Sequence, residues 1–461
     1  MAGILKVGLA AGVNPIVAPY VKAAVFRAAA ETGRTVELIE DDTEIRKDAP
    51  DDRTALADSK IAALESCRIL QEKGCDVALV ANLRSDAYLS ELQTELQMPV
   101  VGLFSGVAEA VAASGAKKVG LLGAALSKAV IEAQLPGVEL IPSPSGTCIH
   151  TTDLALVREE AEKQLAAGAE ILVPACGRVA GACTALKAEG FPVVDILSLA
   201  AKRAVADTPK RLSKPFKVGL IGGLGPAATV DLYDKITRAT PAKNDQEHIK
   251  VVVEQNPQIA DRTACLLHGG ADPTLALYGC ARRLELDGCD AIIVPCNTAH
   301  AFVPFLERHI GVPFINMQVS AMEEIRAKLG DTARIGLLAT SGTVQTGIYS
   351  DKAKAMGLPL FVPDEENQQR VMNAIYGPKG AKAGFTTGEC HDDLVTAAEY
   401  LVRTYDCNCL ILGCTELPLI LDESDAFPCA GKTVTVIDPT SSLARKVVAV
   451  AEKHFAETGV R

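Results

Sequence analysis

The chain has no tryptophan, and aromatic residues make up only 4% of it against 48% hydrophobic residues in all. Its cores must therefore be built from aliphatic side chains, as in a soluble α/β protein. No apolar run is long enough to span a bilayer. No charged-then-apolar leader precedes the strand that opens at Lys6, so the cytoplasm is the expected location. Positive charge is short as well. A net charge of -11 argues against a nucleic-acid or anionic-membrane partner, because a phosphate surface calls for a basic one. A small anionic substrate needs only one or two local cations and stays open. The 14 cysteines lack framework spacing, which points to free thiols in a reducing compartment. Neither His300 nor His248 has a second histidine or a carboxylate at ligand spacing, so no metal is expected and both are read as structural or supporting. The G-x-G-x-x-G spacing is also missing, so the turn Gly222-Gly223-Leu-Gly225-Pro226 reads as a carboxylate-binding or structural turn, not a dinucleotide site.

What is present is a repeat. Lys6-Val-Gly-Leu-Ala-Ala-Gly12 lines up with Lys217-Val-Gly-Leu-Ile-Gly-Gly223, and Asp52-Arg53-Thr54 with Asp261-Arg262-Thr263. Gly74-Cys-Asp76 matches Gly288-Cys-Asp290, Lys118-Val-Gly-Leu-Leu122 matches Arg334-Ile-Gly-Leu-Leu338, and Val194-Asp195 matches Ile437-Asp438. Five matches in one order make the chain a tandem duplication. The expected division is a first domain at 1–208, a linker at 209–216 containing Pro209 and Pro215 at or beside its ends, and a second domain at 217–461. Apolar runs alternate with amphipathic stretches such as 58–71, 154–166 and 274–286, which implies parallel sheets covered on both faces. A second Val-Gly-Leu-Leu-type strand start in each half predicts four Rossmann-like lobes arranged as two pairs.

Two stretches carry the chemistry. Ala291-Ile-Ile-Val-Pro-Cys296-Asn297-Thr298-Ala-His300 and Cys409-Leu-Ile-Leu-Gly413-Cys414-Thr415-Glu416-Leu-Pro418 each run as a buried strand into a cysteine followed by hydroxyl or amide side chains. Ligands sit at the C-terminal ends of such strands. Two facing thiols, one a thiolate and one a thiol, are the equipment for removing a proton from one face of a carbon and returning it to the other. Asn297, Thr298 and Thr415, with nearby backbone N–H groups, suit a carboxylate and the enolate charge that develops on it. Arg262, after a strand and in a polar loop, is placed to hold a carboxylate bidentately. Cys407 and Cys409 are read as core residues on one face of a strand, and Cys265, Cys280, Cys289, Cys390 and Cys429 as ordinary packing or surface positions.

Together, Gly222-Gly-Leu-Gly-Pro-Ala-Ala-Thr229, Asp261-Arg-Thr263, Pro295-Cys-Asn-Thr-Ala-His300, Gly336-Leu-Leu-Ala-Thr-Ser-Gly-Thr343 and Gly413-Cys-Thr-Glu-Leu-Pro418 resemble the aspartate/glutamate racemase family over about residues 215–458. The resemblance implies cofactor-independent racemisation, without pyridoxal phosphate, in which Cys296 and Cys414 exchange the Cα proton from opposite faces. It also implies substrate contacts from Arg262, from a lysine after the Ile375-Tyr376 pair, and from the glycine turn and the Thr-rich motif, here Gly223 and Thr343. Lys382 is the first choice for that lysine and Lys379 the fallback. Glu416 resembles the aspartate-racemase branch, since glutamate racemases usually carry histidine there, and joins Asn297, Thr298 and Thr415 among the expected substrate-binding residues.

The first half has lost part of this set. Asn82 stands where the second half has Cys296, Cys176 stands in the place of Cys414, and Gly177-Arg178 follows it in place of Thr-Glu. Arg53 persists. The expected reading is a silent copy serving as a built-in partner, an intrachain pseudo-dimer that either stays monomeric or pairs again as a homodimer. The competing reading of this half is a one-thiol enzyme, akin to single-cysteine relatives that decarboxylate aryl malonates. For the whole chain the expected substrate is aspartate, glutamate or both. The alternatives are isomerisation or decarboxylation of a related dicarboxylate, maleate- or arylmalonate-like, or an amino-acid-binding regulatory protein.

Overall fold

A computed structural model describes residues 3–123, 128–143, 152–206 and 211–461. The chain divides into two compact units, Met1–Lys214 and Pro215–Arg461. The expected linker at 209–216 lies partly outside the described residues. No helix among these residues is long and apolar enough to cross a membrane.

Each unit carries two sheets among its described residues, and all four are built on one plan. In the first unit, Leu5–Ala10 lies between Val36–Asp41 and Val77–Val80, with Val100–Val101 beyond the latter. Lys118–Leu122 lies between Glu139–Ile141 and Ile171–Pro174. In the second unit, Lys217–Gly222 lies between Lys250–Gln255 and Ala291–Ile293, and Ile335–Leu338 between Leu360–Phe361 and Cys409–Leu412. Every lobe thus has the strand order second, first, third, all parallel, as the strand-helix alternation predicts. The exception is the edge of the last sheet, where Lys432–Ile437 adds in parallel and Ser424–Cys429 folds back antiparallel to it. Pro428 in this last strand is compatible with an edge, where one face of the ladder needs no donor.

The repeated Val-Gly-Leu has a packing cause. A Cβ on Gly8 would lie 3.1 Å from Leu70, and one on Gly219 would lie 2.9 Å from Leu284 and 3.1 Å from the sulfur of Cys289. In the other two lobes, Gly120 meets Ala169 and Leu172 at 2.8 Å, and Gly336 meets Leu410 at 2.9 Å and Leu401 at 3.0 Å. The bare strand backbone lets the covering helix and its loop seat directly on the sheet. The repeat reaches single bonds as well: Asp76 accepts from the Lys6 amide at 2.8 Å, and Asp290 from the Lys217 amide at 2.9 Å.

Helices Leu154–Ala166 and Thr274–Leu286 match their expected bounds. The one expected at 58–71 starts earlier and runs Asp52–Glu72, because the Asp51 carboxylate caps it by accepting from the Thr54 amide. That cap corrects the alignment of the Asp-Arg-Thr motifs. In the second unit the capping residue is Asp261 and Arg262 is the first helical residue. In the first unit Arg53 is the second, one position further round the helix, and it is exposed. Cys407 and Cys409 are both buried, but not on one face: the strand begins only at Cys409, and the two thiols enter different core clusters.

Gly219→Val raises β propensity yet forces a side chain into Leu284, so it should lower stability by about 1–3 kcal/mol in urea denaturation. An unchanged midpoint would show that the helix can retreat without cost.

Candidate active site

Strand ends of the second unit bring the sequence-nominated groups to one place. A cavity at the C-terminal edges of its two sheets is lined by Leu224, Asp261, Arg262, Thr263, Cys296, Asn297, Thr298, Thr340, Tyr376, Lys382, Gly413, Cys414, Thr415 and Glu416. Its free volume is small, about 20 Å³, so a ligand larger than a water enters only with a shift of the side chains around it.

Cys296 follows the Ala291–Ile293 strand and is held by its own main chain. The buried His300 ring donates from Nδ1 to the Cys296 carbonyl at 2.8 Å and accepts at Nε2 from the Met317 amide at 3.2 Å. This tautomer is neutral, and burial lowers the His300 pKa to about 4. His300 is therefore a strut, not a base, and His248 lies exposed on the surface. Cys414 follows Cys409–Leu412 through Gly413, where a Cβ would meet Ala339 and Leu337 at 2.8 Å. The Gly413 amide donates to Leu338 at 2.6 Å, which fixes where the thiol begins.

The two thiols meet opposite charges. Arg262 borders Cys296: burial disfavours the guanidinium charge, but the Cys296 sulfur, Asp261 and Tyr376 outweigh burial and hold its pKa above the usual value. Nη1 of Arg262 donates to Ala260 at 3.2 Å and Nη2 to Leu224 at 2.9 Å. The end of the fork is thus tied to main-chain carbonyls, while Nε is buried without a hydrogen-bond acceptor. Arg262, expected to grip a carboxylate with both prongs, is anchored here through its terminal nitrogens, with Nε left buried and without an acceptor. Cys414 instead donates to Glu416 Oε2 at 2.9 Å. Burial, then the Glu416 charge, pushes this thiol well above the ordinary cysteine range.

Lys382 donates to the other oxygen of Glu416, Oε1, at 2.9 Å and lies over the Tyr376 ring. Burial alone would raise the Glu416 pKa, but Lys382 and the Cys414 S–H hold it below the usual carboxylate range. Lys379 pairs with Glu389 on the exposed side of the same arm, so Lys382 is the lysine at the cavity.

Asn297 accepts from the buried Tyr349 hydroxyl at 2.6 Å, and its Nδ2 is buried without a partner. Thr298 joins Thr343 at 3.0 Å and Thr340 at 3.4 Å in a cluster of hydroxyls linking the two lobes of the unit. Gly223 and Thr343 do not line the cavity. Gly223 has φ 90°, and any side chain on it would strike the Asn256 main chain at 2.4 Å, so its glycine serves the turn. Thr343 stands behind Thr298 and Thr340. The groups that reading by motif passed over, Thr340, Thr263 and Tyr376, all lie inside stretches already nominated. Tyr349 carries no local pattern.

In the first unit the equivalent strand ends hold other groups. Asn82 uses its side chain to cap the turn Leu83–Ala87, accepting from the Arg84 amide at 3.1 Å. Cys176 is buried at the start of helix Gly177–Ala188, its Cβ 2.6 Å from where a Cβ on Gly123 would be.

A model of the family described as Asp/Glu/Hydantoin racemase matches residues 12–204 and again 221–447. The chain belongs to this family, and the two matches are consistent with a tandem duplication. It is 25% identical over 239 residues to the broad specificity amino-acid racemase RacX of Bacillus subtilis, covering 50% of this chain and 96% of that protein. It is 29% identical over 178 residues to the glutamate racemase of Aquifex aeolicus, covering 36% of this chain and 61% of that one. Among solved structures, the Picrophilus torridus aspartate racemase is 29% identical, with a TM-score of 0.43 over 51% of this chain and 94% of that one.

The His300 ring sets a pH test. Its folded pKa of about 4 lies below the unfolded value near 6.5. The stability it confers is therefore complete above about pH 6.5 and is lost as pH falls towards 4, by about 3 kcal/mol. His300→Gln should flatten this part of the stability–pH curve in urea melts. An unaltered slope would show that the ring takes up its proton in the folded state.

Proposed function

We propose that the second unit racemises an acidic amino acid, aspartate, glutamate or both, by moving the Cα proton between Cys296 and Cys414 without pyridoxal phosphate. The observation that carries the reading is the common cavity: two thiols from different strand ends, with two cations, Arg262 and Lys382, and two unclaimed buried donors, Arg262 Nε and Asn297 Nδ2. Buried donors without partners are costly, by about 1–3 kcal/mol each, and a carboxylate is the ligand group that would satisfy them.

In this reading the thiolate takes the Cα–H from one face while the thiol on the other face gives up its S–H proton. The carbon is inverted, and the two sulfurs exchange protonation states. Negative charge grows on the α-carboxylate in between, where Asn297 and the backbone N–H groups after the cysteines stabilise it. Two thiols lining one cavity could serve as an acid and a base, which binding alone does not require, and this supports a racemase over a sensor of amino acids.

The first unit is proposed to be silent in this chemistry. An amide at Asn82 cannot act as the second base, its side chain is engaged in a turn, and Arg53 is exposed one helical position out of step.

The test is incubation with L-aspartate, then L-glutamate, in deuterium oxide, following Cα–H exchange and formation of the opposite enantiomer. Cys296→Ala and Cys414→Ala should each cut racemisation at least about a thousandfold, and Cys176→Ala should leave it within about twofold, the scale of losing an acid or base partner against losing none. No exchange with either amino acid would overturn the racemase reading. Loss on changing Cys176 would overturn the silent first half.

A further inference from the structure

The Glu416 carboxylate is buried, 8% exposed, and shared among three donors. Oε1 accepts from Lys382, and Oε2 accepts from the Cys414 thiol at 2.9 Å and the Thr415 hydroxyl at 3.3 Å. It was expected to hold substrate, and in this structure both of its oxygens are already hydrogen-bonded. The other charged or titratable groups lining the cavity are Arg262, Asp261, Tyr376 and Cys296. Among the described residues, Glu416 is the carboxylate that contacts Cys414.

Lys382 keeps Glu416 ionised, and the ionised carboxylate accepts the Cys414 S–H. Lys382 also favours the Cys414 thiolate, but burial and the Glu416 charge outweigh it and keep the proton on sulfur. A cation drawn to a different carboxylate would raise the proton affinity of Glu416, and the nearest proton is the one on Cys414. The free volume of about 20 Å³ is too small for an amino acid, so side chains lining the cavity must move to admit one, and the Lys382–Glu416 ion pair is among those that line it.

We propose that the side-chain carboxylate of the substrate draws Lys382 away from Glu416, and that Glu416 then accepts the proton of Cys414. The S–H bond breaks and an O–H bond forms, leaving a thiolate on Cys414 and a neutral acid on Glu416. Charge is conserved, because the proton passes from sulfur to oxygen and the negative charge moves the other way. The inference rests on the racemase reading and adds to it a source for the Cys414 thiolate, in the direction where Cys414 is the base. It also gives the preference for acidic substrates a chemical origin. An amino acid without the second carboxylate leaves Lys382 on Glu416 and the thiol unarmed, so discrimination falls on turnover and not only on binding.

The test separates the two directions. Cys296→Ala leaves Cys414 as the sole base and Cys414→Ala leaves Cys296. In deuterium oxide each should exchange the Cα–H of one enantiomer only, and opposite ones. Adding Glu416→Gln to Cys296→Ala should slow that exchange at least tenfold at pH 7 and move its rise with pH upward by a unit or more. Adding it to Cys414→Ala should alter exchange less than threefold. In the otherwise intact chain, Glu416→Gln should shift the rise of kcat/KM to higher pH, with the thermal midpoint checked to show that the chain is folded. Equal slowing in both single-thiol backgrounds, or a raised KM on an unmoved pH profile, would make Glu416 a binding or structural group and overturn the proposal. If the single-thiol variants exchange nothing while the intact chain racemises, the pH profile alone decides. If the intact chain neither racemises nor exchanges, it is the racemase reading that has failed.

Discussion

A helix seated directly on the glycine of a central strand is the contact on which the rest of this fold depends. In each lobe it holds the covering layer against the sheet, and in a sheet with both faces covered the free space is left at the strand ends. In the second unit the ends of Ala291–Ile293 and Cys409–Leu412 then present a cysteine each to one cavity. The thiols are not placed by the loops that follow them. They are placed by strands whose depth is set beneath, and by short ties such as the His300 bond to the Cys296 carbonyl and the Gly413 amide bond to Leu338.

The same cavity divides its electrostatics. A cation borders one thiol and an anion the other, and a second cation is attached to that anion. Two like residues in like positions are thereby given unlike electrostatic neighbours, the kind of difference by which titratable groups of one type come to take different roles. Arg262 illustrates how the fold holds such a charge: its terminal nitrogens are tied to carbonyls of its own loop and of Leu224, so the guanidinium is positioned before any ligand arrives.

Much of this was legible in the chain itself. The repeat was readable because glycine, aspartate and aliphatic residues recur where packing demands them: Gly8 and Gly219 beneath a helix, Asp76 and Asp290 on the amide of the neighbouring strand. Cys296, Cys414, Lys382 and Glu416 stand out through motif and spacing. What was not legible is what depends on a single residue of register or on a distant partner. The Asp-Arg-Thr motifs look equivalent until the cap shows Asp51, not Asp52, starting the helix of the first unit. Gly223 and Thr343 sit in conspicuous motifs but are not among the residues lining the cavity. Tyr349 reaches Asn297 from 52 residues away in sequence, a contact that only the folded chain brings about.

The duplication has a consequence for how such a protein can change. Where identical subunits associate, one gene specifies every copy, so each substitution is imposed on all of them at once and must be acceptable in every setting the symmetry creates. Here residues 12–204 and 221–447 are two copies of one family unit written separately. A residue altered in the first is not altered in the second. Asn82, standing where the second copy has Cys296, is an instance of such a difference. Freed from mirroring its twin, the first unit can drift towards a surface, a solubility or a stability of its own while the second keeps its pair of sulfurs.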